Sequence, residues 1–95
     1  MHALVTRVTI HDADSTRETL NSQVVPQLSA AAGFKAGYWT WSTGDGQLNG
    51  LAMIIFDSED NARSAGDVLR EIGANAPAGS VTVEGVEVRD VVASA

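Results

Sequence analysis

Apolar residues interrupted by Thr6, Arg7 and Thr9 run through HALVTRVTI, residues 2 to 10, and β-branched side chains are frequent there. The pattern predicts a strand with Leu4, Thr6, Val8 and Ile10 on one face and Val5, Arg7 and Thr9 on the other. The period then lengthens. Leu20, Val24, Leu28 and Ala31 recur at helical spacing, behind a Ser15–Glu18 pair at capping-box separation. Pro26 lacks the amide that a helix needs and predicts a kink, and Gly33 predicts the stop. Residues 34 to 43 read as a second strand, TGDGQ as a turn, and residues 47 to 56 as a third strand of nearly continuous apolar character. DSEDNARSAGDVLREIG reads as a second helix. Ser58 caps it, Glu59 and Asp60 face the positive end of its dipole, and Gly73 ends it. Ala62, Ala65, Leu69 and Ile72 form its buried stripe. After the loop ANAPAGS comes a last strand, SVTVEGVEVRDVV. Its apolar phase jumps from Val81 and Val83 to Val86 and Val88, so a bulge is expected near Glu84 and Gly85.

The order β-α-β-β-α-β predicts an α+β fold in one domain over residues 1 to 95. Its economical form is an antiparallel, ferredoxin-like sheet with both helices on one face. LAMIIF in the third strand is apolar on both faces, although the helices can cover only one. A second copy of the same sheet is the simplest cover, so a homodimer is expected.

Phe34, Tyr38, Trp39 and Trp41 crowd into GFKAGYWTWS, and only Phe56 among the aromatics lies elsewhere. Strict alternation puts Phe34 and Tyr38 on one face and both tryptophans on the other. The reading turns Phe34 and Tyr38 towards the helices as core or pocket, and Trp39 and Trp41 towards the partner. The hairpin register stays open. A two-residue Asp45-Gly46 turn sets Trp41 against Gly50 and Trp39 against Ala52, whereas a three-residue loop sets Phe34 beside Phe56. The second is preferred.

A net charge of -6 argues against nucleic acid and anionic membranes as partners. The absence of cysteine excludes disulfides, thiolate chemistry and cysteine-based zinc sites. MHALVTRVTI lacks the basic region and long apolar run of a signal peptide, and no apolar run could span a bilayer. A cytoplasmic location is expected. HDAD, residues 11 to 14, reads as turn and cap chemistry, so no metal is expected. GDG precedes a strand and not a helix, so it reads as a turn and not as a phosphate loop. His2 and His11 are expected at strand ends, in solvent. No Ser/His or carboxylate pair marks a catalytic residue.

The stretch VVPQLSAAAGFKAGYW, the hairpin and MIIFDSEDNARSA together resemble the dimeric α+β barrel superfamily, and within it the antibiotic-biosynthesis-monooxygenase-like proteins. The resemblance covers nearly the whole chain. It rests on Gly-Phe at the start of the second strand and an aromatic-Asp-Ser-Glu junction before the second helix. It implies a homodimer with a mostly apolar pocket between sheet and helices. Such folds host cofactor-free oxygenases, haem-degrading enzymes and isomerases. Haem-degrading members carry a Trp where this chain has Phe56, an Asn where it has Thr6, and a helix His that ARSAGDVLREIG lacks. No cofactor is expected. The implied function is binding of a small aromatic or hydrophobic compound, extending to its cofactor-independent oxygenation. Pocket candidates are Thr6, Phe34, Tyr38 and Phe56. Interface candidates are Arg7, Trp39, Trp41 and Met53. Arg7 either pairs with Glu84 or Glu87 on the last strand or binds an anion. The alternative function is a non-catalytic dimeric module, whose core would be filled where the first reading requires a cavity.

Overall fold

In the computed structural model, which describes residues 1–44, 47–77 and 79–95, strand β1 (His2–Ile10) is an inner strand of a four-stranded sheet. The other strands are β2 (Phe34–Gly44), β3 (Gln47–Phe56) and β4 (Val81–Asp90), in the order β2-β3-β1-β4 with every pairing antiparallel. A helical arm crosses from β1 to β2. It comprises α1 (Ala13–Thr19), a π-helical turn (Leu20–Val24) and α2 (Val25–Ser29). The second crossover is the long helix α3 (Glu59–Asn75). Both pack on one face of the sheet, which gives the expected ferredoxin-like architecture.

Local chemistry explains where elements start and stop. The cap of α1 is Asp12 and not Ser15. Its carboxylate accepts from the Ser15 amide at 3.1 Å. The cause lies far along the chain: the Ser80 carbonyl accepts from the amides of His11 and Asp12, at 2.9 and 3.1 Å, and bends the chain directly after β1. Pro26 has no amide to give to Ser22. The helix widens just before it, where the Val25 amide bonds to the Leu20 carbonyl, so the expected kink takes the form of a π-helical turn. Ser58 caps α3 as expected, accepting from the Asn61 amide at 3.2 Å. Gly73 does not end that helix. It lies against β4, where a Cβ would stand 3.2 Å from Val83 Cγ2, so it serves close approach, and α3 continues to Asn75.

The expected bulge in β4 is present. Arg7 opposes Gly85 and Val8 opposes Val83, leaving Glu84 as the extra residue. Arg7 lies along Gly85, and no ion pair of Arg7 with Glu84 or Glu87 is present among the described residues. Glu84 instead accepts from the Thr9 hydroxyl at 3.1 Å, and Glu87 pairs with Arg89 at 3.0 Å. His2 is half-buried, contrary to the expectation of a solvated side chain. Its Nε2 lies 2.6 Å from the Asp90 carboxylate across the β1–β4 ladder. His11 is exposed, 2.9 Å from the Thr82 hydroxyl.

A second bulge, in β2, was not expected, and it decides the aromatic faces. Trp41 opposes Gly50 and Trp39 opposes Ala52, the register of a two-residue turn. The turn residues themselves, Asp45 and Gly46, lie outside the described residues. The register then shifts between Phe34 and Ala36, and Phe34 still opposes Phe56. Lys35 is the extra residue. It reverses the phase, so Phe34, Trp39 and Trp41 all face the helices while Tyr38 faces away.

Gly33, which precedes this strand, has φ +79 and a carbonyl that accepts from the Asp57 amide at 2.9 Å. A Cβ there would collide with the Asp57 carboxylate, which holds the Asn61 amide group at 2.8 Å. Gly33→Ala is therefore expected to lower stability by at least about 1–2 kcal/mol, the usual cost of a left-handed backbone for an L-residue. A chemical-denaturation midpoint equal to wild type would contradict this.

Candidate functional site

The helix-facing side chains of β3 shrink along the strand. Phe56 and Ile54 are fully buried and fill one end of the core, together with Leu4 and Leu28. Ala52 and Gly50 follow towards the hairpin. Large residues oppose these small ones, since Trp39 faces Ala52 and Trp41 faces Gly50. Trp39 folds back over Gly37, where a Cβ would lie 2.7 Å from its ring. The two tryptophans thus form a side wall, and Val8 of β1 reaches over Gly50, where a Cβ would lie 2.6 Å from its Cγ2.

The result is a cavity of about 100 Å³, partly open to solvent. Its floor is Thr6, Val8 and Ile10 of β1. Thr16 and Thr19 of α1, with Leu20 and Val24 of the π-helical turn, form one roof, and Leu69, Ile72 and Gly73 of α3 form the other. The hydroxyls at its edge are partly engaged: Thr16 donates to the Ser80 carbonyl at 3.4 Å and Ser80 to the Pro77 carbonyl at 2.7 Å. Among the described residues, none that lines the cavity is ionisable. The Trp39 ring lines the wall, and its indole Nε1 is buried, without accessible surface and without a hydrogen-bond partner among the described residues. The space is smaller than the roughly 150 Å³ of a dry apolar cavity that accommodates benzene, so a single six-membered ring fits by extending into its open side.

Of the pocket candidates, Thr6 lines this cavity. Phe34 and Phe56 lie in the packed end of the core, edge to face with centroids 6.1 Å apart. Tyr38 stands 66% exposed on the opposite face of the sheet. Of the interface candidates, Trp39 and Trp41 line the cavity, whereas Arg7 and Met53 are exposed on the open face with Tyr38. The facing of Tyr38 and the tryptophans is thus the reverse of the expected one, because the Lys35 bulge inserts a half-period between Phe34 and the rest of the strand. Arg17 carried no sequence signal. Its guanidinium carbon lies 4.9 Å from the centre of the Trp41 ring. Among the described residues no group of three or more His, Cys, Asp or Glu side chains could hold a metal ion. None of the described helices is long and apolar enough to cross a membrane.

No family model matches the sequence, and no curated protein matches it. Solved structures do match. SnoaB, a cofactor-independent oxygenase from Streptomyces nogalater, superposes with a TM-score of 0.70 at 18% identity, over 98% of this chain and 94% of that one. A dimeric ferredoxin-like protein from an uncultured marine organism gives a TM-score of 0.65 at 12% identity, over 99% and 97%. The de novo designed protein Foldit4 gives 0.68 at 15% identity, over 95% and 97%. At such identities the likeness is one of fold, and a designed protein among the matches illustrates that this fold does not dictate a chemistry. The chain has a ferredoxin-like fold, an antiparallel sheet with its helices on one face, shared with these solved structures.

Proposed function

We propose that the cavity binds a small, largely apolar ring compound that offers an oxygen acceptor to the Trp39 N–H. The buried, unpartnered indole nitrogen carries this reading. A buried donor left unpaired costs about 1–3 kcal/mol, and a ligand acceptor would recover part of that once the Trp39 ring turns its N–H, which has no accessible surface, into the cavity. The likeness to SnoaB supports extending the reading to cofactor-independent oxygenation. The walls offer no titratable side chain to remove a proton, so such a substrate must bring its own acidity. A ring phenol with an open para C–H fits when a conjugated carbonyl acidifies it, so that it enters as the phenolate and leaves its proton in solvent. Its phenolate supplies the electrons that reduce O2, one oxygen atom enters the para position, the other leaves as water, and the product is a quinone. The Trp39 N–H would stabilise the oxyanion from which electrons depart.

Both tryptophans of the chain line the cavity, so intrinsic fluorescence reports occupancy directly. Benzaldehyde and toluene are matched in shape and differ in the acceptor. Wild type is expected to prefer benzaldehyde. Trp39→Phe keeps an aromatic wall but removes the donor, and is expected to reduce that preference about three- to tenfold, the range of one net hydrogen bond. An unchanged preference would mean that Trp39 does not read the ligand. Failure of both probes to bind would remove the ligand-site reading altogether.

We propose in addition that the open face of the sheet is covered by a second copy of the chain. Two observations support this: Tyr38, Leu51 and Met53 are exposed side by side there, and a similar structure is described as dimeric. The alternative of a module whose aromatics serve assembly alone is disfavoured, because both tryptophans surround empty space.

A further inference from the structure

We infer that the ligand of this cavity is a ring-bearing carboxylate and that Arg17 is the residue that selects its charge; the inference rests on the reading of the cavity as a ligand site. The wall itself is without ionisable groups, so the body of the ligand is apolar. The rim is different. Helix α1 contributes Thr16 and Thr19 to the wall, and Leu20 follows in the next turn. Arg17 lies among these residues on the exposed side and reaches across to the Trp41 ring, 4.9 Å away, on the edge strand of the sheet. It therefore places a positive charge beside a wall residue, where the helical arm meets β2.

The charge is also available. Arg63, Arg70 and Arg89 each have a carboxylate within ion-pair distance. Arg17 has no such partner among the described residues, although Asp14 and Glu18 stand on the same arm and the chain carries twelve acidic residues against six basic ones. An aromatic ring, not a carboxylate, holds it in place, and its N–H groups donate to no side chain among the described residues. Arginine suits this position better than lysine would, because its planar fork meets the two oxygens of a carboxylate together. In an otherwise acidic protein, one cation at the rim of an apolar cavity separates ring acids from their neutral analogues.

Benzoate and benzamide test this, being nearly the same shape and differing in charge. Binding of each is measured by tryptophan fluorescence at low salt in wild type and in Arg17→Met, which keeps an apolar stem against Trp41. The benzoate-to-benzamide affinity ratio is expected to fall about fivefold in the variant, the upper range for an exposed ion pair, while benzamide affinity stays constant. Raising the salt concentration in wild type is expected to narrow the ratio in the same direction. A ratio unchanged by Arg17→Met overturns the assignment of Arg17 and leaves the cavity reading intact. Loss of benzamide binding in the variant also overturns it, since Arg17 would then act only by supporting Trp41. If neither probe binds wild type, the cavity reading fails and this inference fails with it.

Discussion

Phe56→Ala is expected to destabilise the fold by about 3–5 kcal/mol, the range for removing a buried aromatic ring. Phe56 has no solvent exposure and ends the filled half of the core. Its ring meets Phe34 edge to face at an interplanar angle of 77°, so truncation also leaves Phe34 without its aromatic neighbour. Leu4, Leu28 and Ile54 are themselves fully buried and have little freedom to collapse into the space. Against a typical total of about 5–15 kcal/mol, such a loss takes a large share of the stability. The measurement is a urea midpoint at fixed protein concentration, because association would otherwise shift the baseline. A loss under about 1 kcal/mol would show that this end of the core is as loosely filled as the cavity end.

The contrast between the two ends of the core shows what could be read in the sequence. The bounds of β1 follow from its β-branched run and those of β3 from its nearly continuous apolar run, and both agree with the structure. The β4 bulge was legible because its valines change phase across Glu84 and Gly85. The β2 bulge was not. That strand is apolar on both faces, so inserting Lys35 leaves no visible break in the pattern while it reverses every side chain beyond it. One clue was present: the pairing of Trp39 with Ala52 and Trp41 with Gly50 puts large against small, which suits a hollow in the core. It appeared as one of two registers, and the structure combines the tryptophan pairing of one with the Phe34–Phe56 pairing of the other. HDAD carried cap chemistry, but the choice of Asp12 over Ser15 as the cap was undecided for another reason. It depends on the Ser80 carbonyl, a partner that only the tertiary fold brings near. Arg17 was illegible for the same reason, since its contact with Trp41 joins the helical arm to an edge strand.

The reversal of faces changes which residues should control association. Tyr38, Leu51 and Met53 are 66%, 48% and 46% exposed, and the register makes them neighbours on β2 and β3. Ile55, half-buried, continues this apolar surface, and Arg7 and Thr40 border it. No helix lies over it, and an apolar patch of this kind on a soluble sheet is characteristic of an interface. Met53→Glu inserts a charge at its centre, where a partner copy would have to desolvate it, and Tyr38→Ala removes its largest side chain. Each is expected to weaken the proposed homodimer by at least about 2 kcal/mol, roughly thirtyfold in the dissociation constant, as for a central hot spot. Trp41→Ala serves as the counter-test. Trp41 faces the cavity, so its truncation should empty the ligand site further and leave the dissociation constant near wild type. Sedimentation equilibrium distinguishes the cases. A wild-type chain that remains at 9.9 kDa at micromolar concentration would end the homodimer proposal. Dissociation caused by Trp41→Ala but not by Met53→Glu would place the contact on the helical side, leaving the open sheet face without a partner.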